Sequence, residues 1–243
     1  MGIITMIASG KDGVGKTTTS VMLADAFDRM GKRTLVIELD TGRRSLDIVA
    51  GCSGRTVYDI LDVLGGRCEP QDAIIHAPSP RKEVYIMAAP YKSEPVSGES
   101  FVKLCKVLTD KFDHILIDTA PNTGATIAAG AVAMNAIIVT TPDPMALRES
   151  RILCDRLTDL SVPSIRLLTN RVIPSRIKAG VVPNLDYCID TVGTRLIGVI
   201  PEDDDIALSA ASGKPLAQKG LCAHVFDNIA KRIYGTEVPL EMQ

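Results

Sequence analysis

The stretch Ser9-Gly10-Lys11-Asp12-Gly13-Val14-Gly15-Lys16-Thr17-Thr18 gathers the residue types that grip phosphate. From Gly10 to Thr17 it reads G-x-x-x-x-G-K-T, a phosphate-binding loop when it lies between a strand and a helix. Glycines let the backbone wrap until successive N–H groups converge on phosphate oxygens, and the following helix adds the positive end of its dipole. In such a loop Lys16 reaches the β- and γ-phosphates and the Thr17 hydroxyl ligates Mg²⁺. Gly10, Asp12, Gly13, Val14, Gly15 and Thr18 complete the cradle. Lys11 is a second lysine inside the loop. Like charge beside Lys16 is costly unless several negative charges lie between the two ammonium groups. Lys11 is therefore either a solvated surface lysine or one that reaches a nucleotide held by a partner subunit.

Two acids close apolar runs and face the same chemistry. Ile115-Leu116-Ile117-Asp118 ends like a Walker B strand, which would set Asp118 opposite Thr17 to hold Mg²⁺ through water. The alternative is an acid that begins the next helix as an N-cap. Asp40 ends another apolar run and opens a polar loop, where a carboxylate meets metal or water; a solvated loop aspartate is the plainer reading. GTP is disfavoured. Pro121 occupies the third position after Asp118, where GTP-binding chains place Gly, and Asn170-Arg171-Val172-Ile173 lacks the aspartate of N-K-x-D.

The elements that position these residues follow from the hydrophobic pattern. Apolar, β-branched runs occur at Ile3–Ala8, Thr34–Leu39, Val84–Ala88, His114–Ile117, Ala136–Thr140, Ile165–Thr169 and Leu196–Ile200. Most are apolar throughout, as strands covered on both faces are. Between them lie helical patterns, such as Leu23, Ala26, Phe27 and Met30 followed by Gly31 as a C-terminal stop. The fold class is α/β: a doubly wound, mainly parallel sheet of seven or eight strands with helices on both faces. No internal repeat or low-complexity linker divides the chain, so residues 1–243 read as a single domain. Ligands of such sheets bind at the carboxyl ends of the strands.

Composition narrows the function classes. The chain has 27 Lys+Arg against 29 Asp+Glu, which argues against a protein that mainly coats nucleic acid. No apolar run approaches the ~20 residues that span a bilayer, and the N-terminus lacks the charged start of a signal peptide. A soluble, cytoplasmic chain is expected. Its six cysteines are scattered without a C-x-x-C, and its three histidines form no cluster, so neither a disulfide framework nor a structural metal is expected.

The loop also resembles a known family. Gly10-Lys11-Asp12-Gly13-Val14-Gly15-Lys16-Thr17-Thr18 is similar to the deviant Walker A motif of the MinD/ParA ATPases, usually written KGGVGKTT, with Asp12 in place of a glycine. Glu38-Leu39-Asp40-Thr41-Gly42-Arg43-Arg44-Ser45-Leu46-Asp47 resembles the first switch segment of MinD proteins, with Glu38 where the family usually has Asp and Ser45 in place of the usual Asn. Gly51-Cys52, the stretch Val57–Leu64, and Gly198-Val199-Ile200-Pro201-Glu202-Asp203 extend the likeness, which is nearer MinD than plasmid-type ParA.

The resemblance implies an Mg²⁺-dependent ATPase in which Asp40 helps orient the attacking water and the Mg²⁺ shell. Asn170, Arg171, Pro201, Glu202 and Asp203 would frame adenine, although a plain turn also accounts for the last three. The loop from Asp118 to Gly124 would be a second switch. With Lys11 acting in trans, an ATP-bound homodimer would form and hydrolysis would time its separation, recruiting a division-site activator or cargo. The alternatives are a metabolic enzyme on the same scaffold, a ligase or reductase component, and a ParA-type DNA-partition ATPase. MinD proteins usually end in a basic amphipathic helix that inserts into membranes. Here the tail Gly235–Gln243 carries two acids, no base and Pro239, so no such membrane-targeting helix is expected. The stripe Cys222, Val225, Phe226, Ile229 and Ile233 should pack on the sheet instead. Membrane contact would be weak or pass through an adaptor, placing the protein in the cytoplasm or peripherally at a membrane through a partner. Between Arg148 and Lys178, seven bases face three acids, a patch compatible with DNA or with a merely solvated surface.

Overall fold

A computed structural model describes residues 1–121 and 124–240. Among these, eight strands are β1 (Ile3–Ala8), β2 (Thr34–Glu38), β3 (Ile75–His76), β4 (Val84–Met87), β5 (His114–Asp118), β6 (Asn135–Thr140), β7 (Ser164–Val172) and β8 (Leu196–Pro201). The α-helices are α1 (Lys16–Arg29), α2 (Leu46–Val49), α3 (Ile60–Leu64), α4 (Gly98–Leu108), α5 (Gly124–Gly130), α6 (Pro144–Asp159), α7 (Pro174–Lys178), α8 (Leu185–Val192), α9 (Asp204–Ser212) and α10 (Leu221–Ile233).

The strands form one sheet in the order β3-β4-β2-β5-β1-β6-β7-β8. All neighbours are parallel except β3 and β4. The seven apolar runs all became strands. The exception to the sequence reading is β3, a two-residue antiparallel edge strand too short to leave a periodic signal.

The unbroken hydrophobicity of the central runs has a direct cause. Met6, Ile37, Ile117 and Ile138 point into one core, while Ile7, Val36, Leu116 and Ile137 point into the other. The first core is closed by α4, α5, α6 and α8, the second by α1, α2 and α10. The Leu23–Phe27 stripe of α1 is buried in the second core, and Gly31 follows the helix at φ 71°, a left-handed stop. Cys222, Phe226 and Ile229 of α10 are buried against α1 and β8, so this stripe does pack on the sheet.

The chain enters β1 at the centre and leaves toward β2 on one side, whereas β6 lies on the other. The loop after β1 therefore opens at the crevice where strand order reverses. Away from the loop, Arg81 ties three helices together. Its guanidinium pairs with Asp25 of α1 and donates to the carbonyls of Ala50, at the end of α2, and Gly213, at the end of α9. The buried Arg81–Asp25 ion pair thus links α1 to the C-terminal ends of α2 and α9.

Candidate nucleotide site

The site grows out of the join between β1 and α1. Gly15 caps α1 at φ 99°, a conformation that an L side chain adopts only under strain, and a Cβ there would also collide with the side-chain amide of Asn170. At Gly10 a Cβ would run into the backbone of Glu149, so α6 fits against the loop only because Gly10 has no side chain. Asn170, at the end of β7, donates from Nδ2 to the Val14 carbonyl at 2.7 Å and braces the loop from the far side. The fold thereby turns the loop's backbone toward the mouth of the crevice, at the N-terminus of a 14-residue helix.

Lys16 and Thr17 open α1. Lys16 is buried, and its ammonium lies 3.9 Å from Oδ1 of Asp12. Thr17 donates from Oγ1 to Oδ2 of Asp118 at 2.5 Å and stands 3.2 Å from the Ser45 hydroxyl. The predicted opposition of Thr17 and Asp118 is thus present, and Asp118 does not act as a helix cap. Its other oxygen, Oδ1, is fully buried and has no hydrogen-bond partner among the described residues. Desolvation by burial, and then the charge of Glu38, push the Asp118 carboxyl up to about 7, against the opposing pull of Thr17 and Lys16. Asp40 stands half-buried at the end of β2; burial raises its carboxyl while Lys16 and Arg43 lower it. A hydroxyl, an unsatisfied buried carboxylate oxygen and a further acid fit a hard, oxygen-seeking divalent cation that takes its remaining ligands from water and phosphate.

The sequence reading left Glu38 without a role. It is completely buried, and the register of β2 and β5 sets it directly beside Asp118. Its Oε1 accepts from the backbone N–H groups of Ser45 at 2.7 Å and Leu46 at 3.0 Å, and its Oε2 from Ala89 at 3.2 Å. Glu38 therefore pins the start of α2 and the end of the β4 strand to the sheet beside Thr17. The available signal was period two: Glu38 and Asp40 alternate onto the same side of the chain, and an acid inside an apolar run needs buried donors.

The remaining residues divide between the mouth and the far rim. Lys11 is half-exposed and lies 3.5 Å from Asp143, the N-cap of α6. Asp12 pairs with Arg43 at 2.7 Å. Arg171, at φ 56°, and Glu202 approach to 3.8 Å, bringing the ends of β7 and β8 together. The Asp203 carboxylate accepts from the Asp205 N–H and caps α9, so the N-terminus of α9 rises from the Pro201–Asp203 turn. Of the loop from Asp118 to Gly124, positions 122 and 123 lie outside the described residues, as do the tail positions 241–243.

A family model described as the CobQ/CobB/MinD/ParA nucleotide binding domain matches residues 5–216. The chain is 34% identical to the septum site-determining protein MinD of Synechocystis over 98% of its own length and 92% of the relative's. It is 33% identical to the MinD of Bacillus subtilis over 100% and 92%. The chain belongs to the MinD/ParA family. Solved structures agree on the MinD side of that family. MinD in the MinC:MinD cell division complex of Aquifex aeolicus superposes with a TM-score of 0.92 at 26% identity, covering 99% of both chains. The MinD of Pyrococcus horikoshii, solved with Mg-ADP, gives 0.84 at 26% identity over 96% of each. Among the described residues no helix is long and apolar enough to cross a membrane.

Proposed function

We propose that this chain is a MinD-like, Mg²⁺-dependent ATPase that works as an ATP-dependent dimerisation switch for division-site machinery. In this reading the phosphate loop and Lys16 hold the triphosphate, and Asn170, Arg171 and the Pro201–Asp203 turn frame the adenine. Thr17 and, through water, Asp118 would hold magnesium, with Asp40 helping to orient its shell; magnesium when bound neutralises phosphate charge. Asp40 orients the attacking water, and Lys11 is lent to the nucleotide of a second copy.

The observation that carries the reading is the state of Lys11. It lies inside the loop yet is half-exposed, and its only described ion pair is with Asp143. The pair is long at 3.5 Å and about half exposed on both sides, so the lysine is lightly held and free to move to a stronger anion. A cation supplied in trans is worth about 10³–10⁵ in the rate of phosphoryl transfer, so the isolated monomer should be slow. The MinC:MinD assembly of Aquifex aeolicus supports a protein partner that reads the dimer. Arg151 and Arg171 of the basic stretch are each near an acid, Asp155 and Glu202, which weakens that face as a DNA site.

Size analysis with and without ATP tests the proposal. A monomer that dimerises with ATP, and a Lys11→Ala variant that binds ATP but stays monomeric, are the expected results. ATP-independent assembly, or turnover that requires an added metabolite, overturns it and returns the chain to the metabolic branch.

A further inference from the structure

Asp12 places a carboxylate where the MinD/ParA pattern has glycine, in a loop whose purpose is to receive phosphate. Negative charge at that position opposes an incoming phosphate unless it is cancelled. Two cations meet it. Lys16 lies 3.9 Å from Oδ1, but a phosphate-bound Lys16 is drawn toward the anion. Arg43 lies 2.7 Å from Oδ2, a hydrogen-bonded ion pair. Arg43 comes from the loop between β2 and α2, and its side chain is 59% exposed, so the carboxylate and not packing holds it there. The backbone beside it is anchored independently: Gly42 donates to the Pro90 carbonyl at 3.1 Å, and the Thr41 hydroxyl donates to the Glu94 carbonyl at 2.9 Å. The guanidinium is thus delivered to the mouth of the site from a fixed base.

We propose that Arg43 is a positioning residue of the phosphate site that acts through Asp12. It cancels the charge that this loop carries in place of glycine, from a segment that Thr41 and Gly42 already hold beside the mouth of the site. When phosphate draws Lys16 away, Arg43 becomes the sole near partner among those two, so the pair matters more with nucleotide bound than without. The inference rests on the phosphate loop being the nucleotide site, and it is independent of dimerisation.

The test is a double-mutant cycle read by calorimetric titration with ADP and Mg²⁺ at low salt, so that failure of the ATP-dependent dimer does not enter. Arg43→Ala should weaken ADP binding about tenfold. Asp12→Gly should tighten it severalfold, and in that background Arg43→Ala should cost less than threefold. Arg43→Lys, which keeps a cation for Asp12, should recover most of the affinity. Raising KCl tenfold should shrink the effect of Arg43→Ala, because the pair is exposed. Equal loss from Arg43→Ala in both backgrounds would mean that the guanidinium touches phosphate directly and would overturn the proposal. No loss in the wild-type background would overturn it as well. If none of the variants, including the wild type, binds ADP, the reading of the loop itself fails.

Discussion

Asp118 and Asp12 are both carboxylates that feel the charge of Lys16, but their surroundings differ in every other respect. Asp118 is sealed between β5 and α1, with one oxygen on Thr17 and the other on nothing. Asp12 is nearly half exposed at the mouth and is met by two cations. Burial by the surrounding sheet disfavours the charge at the centre, and a proton or an arriving metal cation relieves it. The rim is already neutralised by half-exposed side chains, whose pairs are worth about 0–1 kcal/mol each. The fold therefore fixes the groups that must not move and leaves adjustable those that respond to a ligand or a second copy.

Replacing the central acid gives the largest expected effect and the strongest test of this contrast. Asp118→Asn keeps the shape and removes the charge. ATP turnover should fall by at least about 100-fold, the usual scale for losing a charge-positioning group. The nucleotide-free protein should nonetheless become more stable at pH 8. A carboxyl raised to about 7 in the folded chain contributes stability that is present below the unfolded pKa and lost as pH rises through 7. Asparagine never carries that charge. Urea unfolding at pH 6 and pH 8, beside steady-state turnover, checks both halves. An active variant, or one less stable at pH 8, would show that the centre is not strained in the way described.

Glu38 sharpens the comparison because it is as buried as Asp118 but satisfied by three backbone N–H groups. Removing it leaves those donors unpaired, at roughly 1–3 kcal/mol each before relaxation. Glu38→Ala should cost on the order of 3 kcal/mol of stability, measured by urea unfolding, where Asp118→Asn stabilises. Neighbouring carboxylates in one register would then have opposite signs, and an unchanged midpoint for Glu38→Ala would remove the distinction.

His114 extends the test to a buried group at the other end of β5. It stacks on Phe27 at 4.1 Å and lies 3.0 Å from the Thr5 hydroxyl and 3.3 Å from that of Tyr234. Burial pushes its pKa down to about 3, so the folded chain refuses a proton that the unfolded chain accepts below about 6.5. Its contribution is present at neutral pH and is lost as pH falls, by about 2 kcal/mol between pH 6.5 and 5. The unfolding midpoint of His114→Gln should fall less steeply than the wild type over that interval. Parallel slopes would mean that His114 is protonated in the fold.

How much of this arrangement could be read from residue order follows from the physics of each part. The strands that carry Asp118 and Asp40 were legible because burial on both faces leaves unbroken apolar runs. The β3 strand was not, because two residues have no period. The phosphate loop was legible because its glycines and Lys16 act within one local turn. Glu38, Asn170 and the Asp12–Arg43 pair depend on partners 51, 156 and 31 residues away, which only the folded chain brings together. Asn170 illustrates the limit: the hold of its amide on the Val14 carbonyl is a bracing role that residue order does not show.

The smallest expected effect on stability belongs to Lys11, and it tests the rim directly. Lys11 and Asp143 are about half exposed and 3.5 Å apart, which places their pair among those worth least. Lys11→Ala should shift the urea midpoint by less than about 0.5 kcal/mol, since Asp143 keeps the Ala146 N–H that caps α6. If the same variant loses ATP-dependent dimerisation and about a thousandfold in turnover while ATP still binds, the lysine's value lies outside its own chain. A substantial loss of stability would instead make the Asp143 pair a structural bond. Lys11 would then have no freedom to leave it, and the adjustable rim would shrink to Asp12 and Arg43.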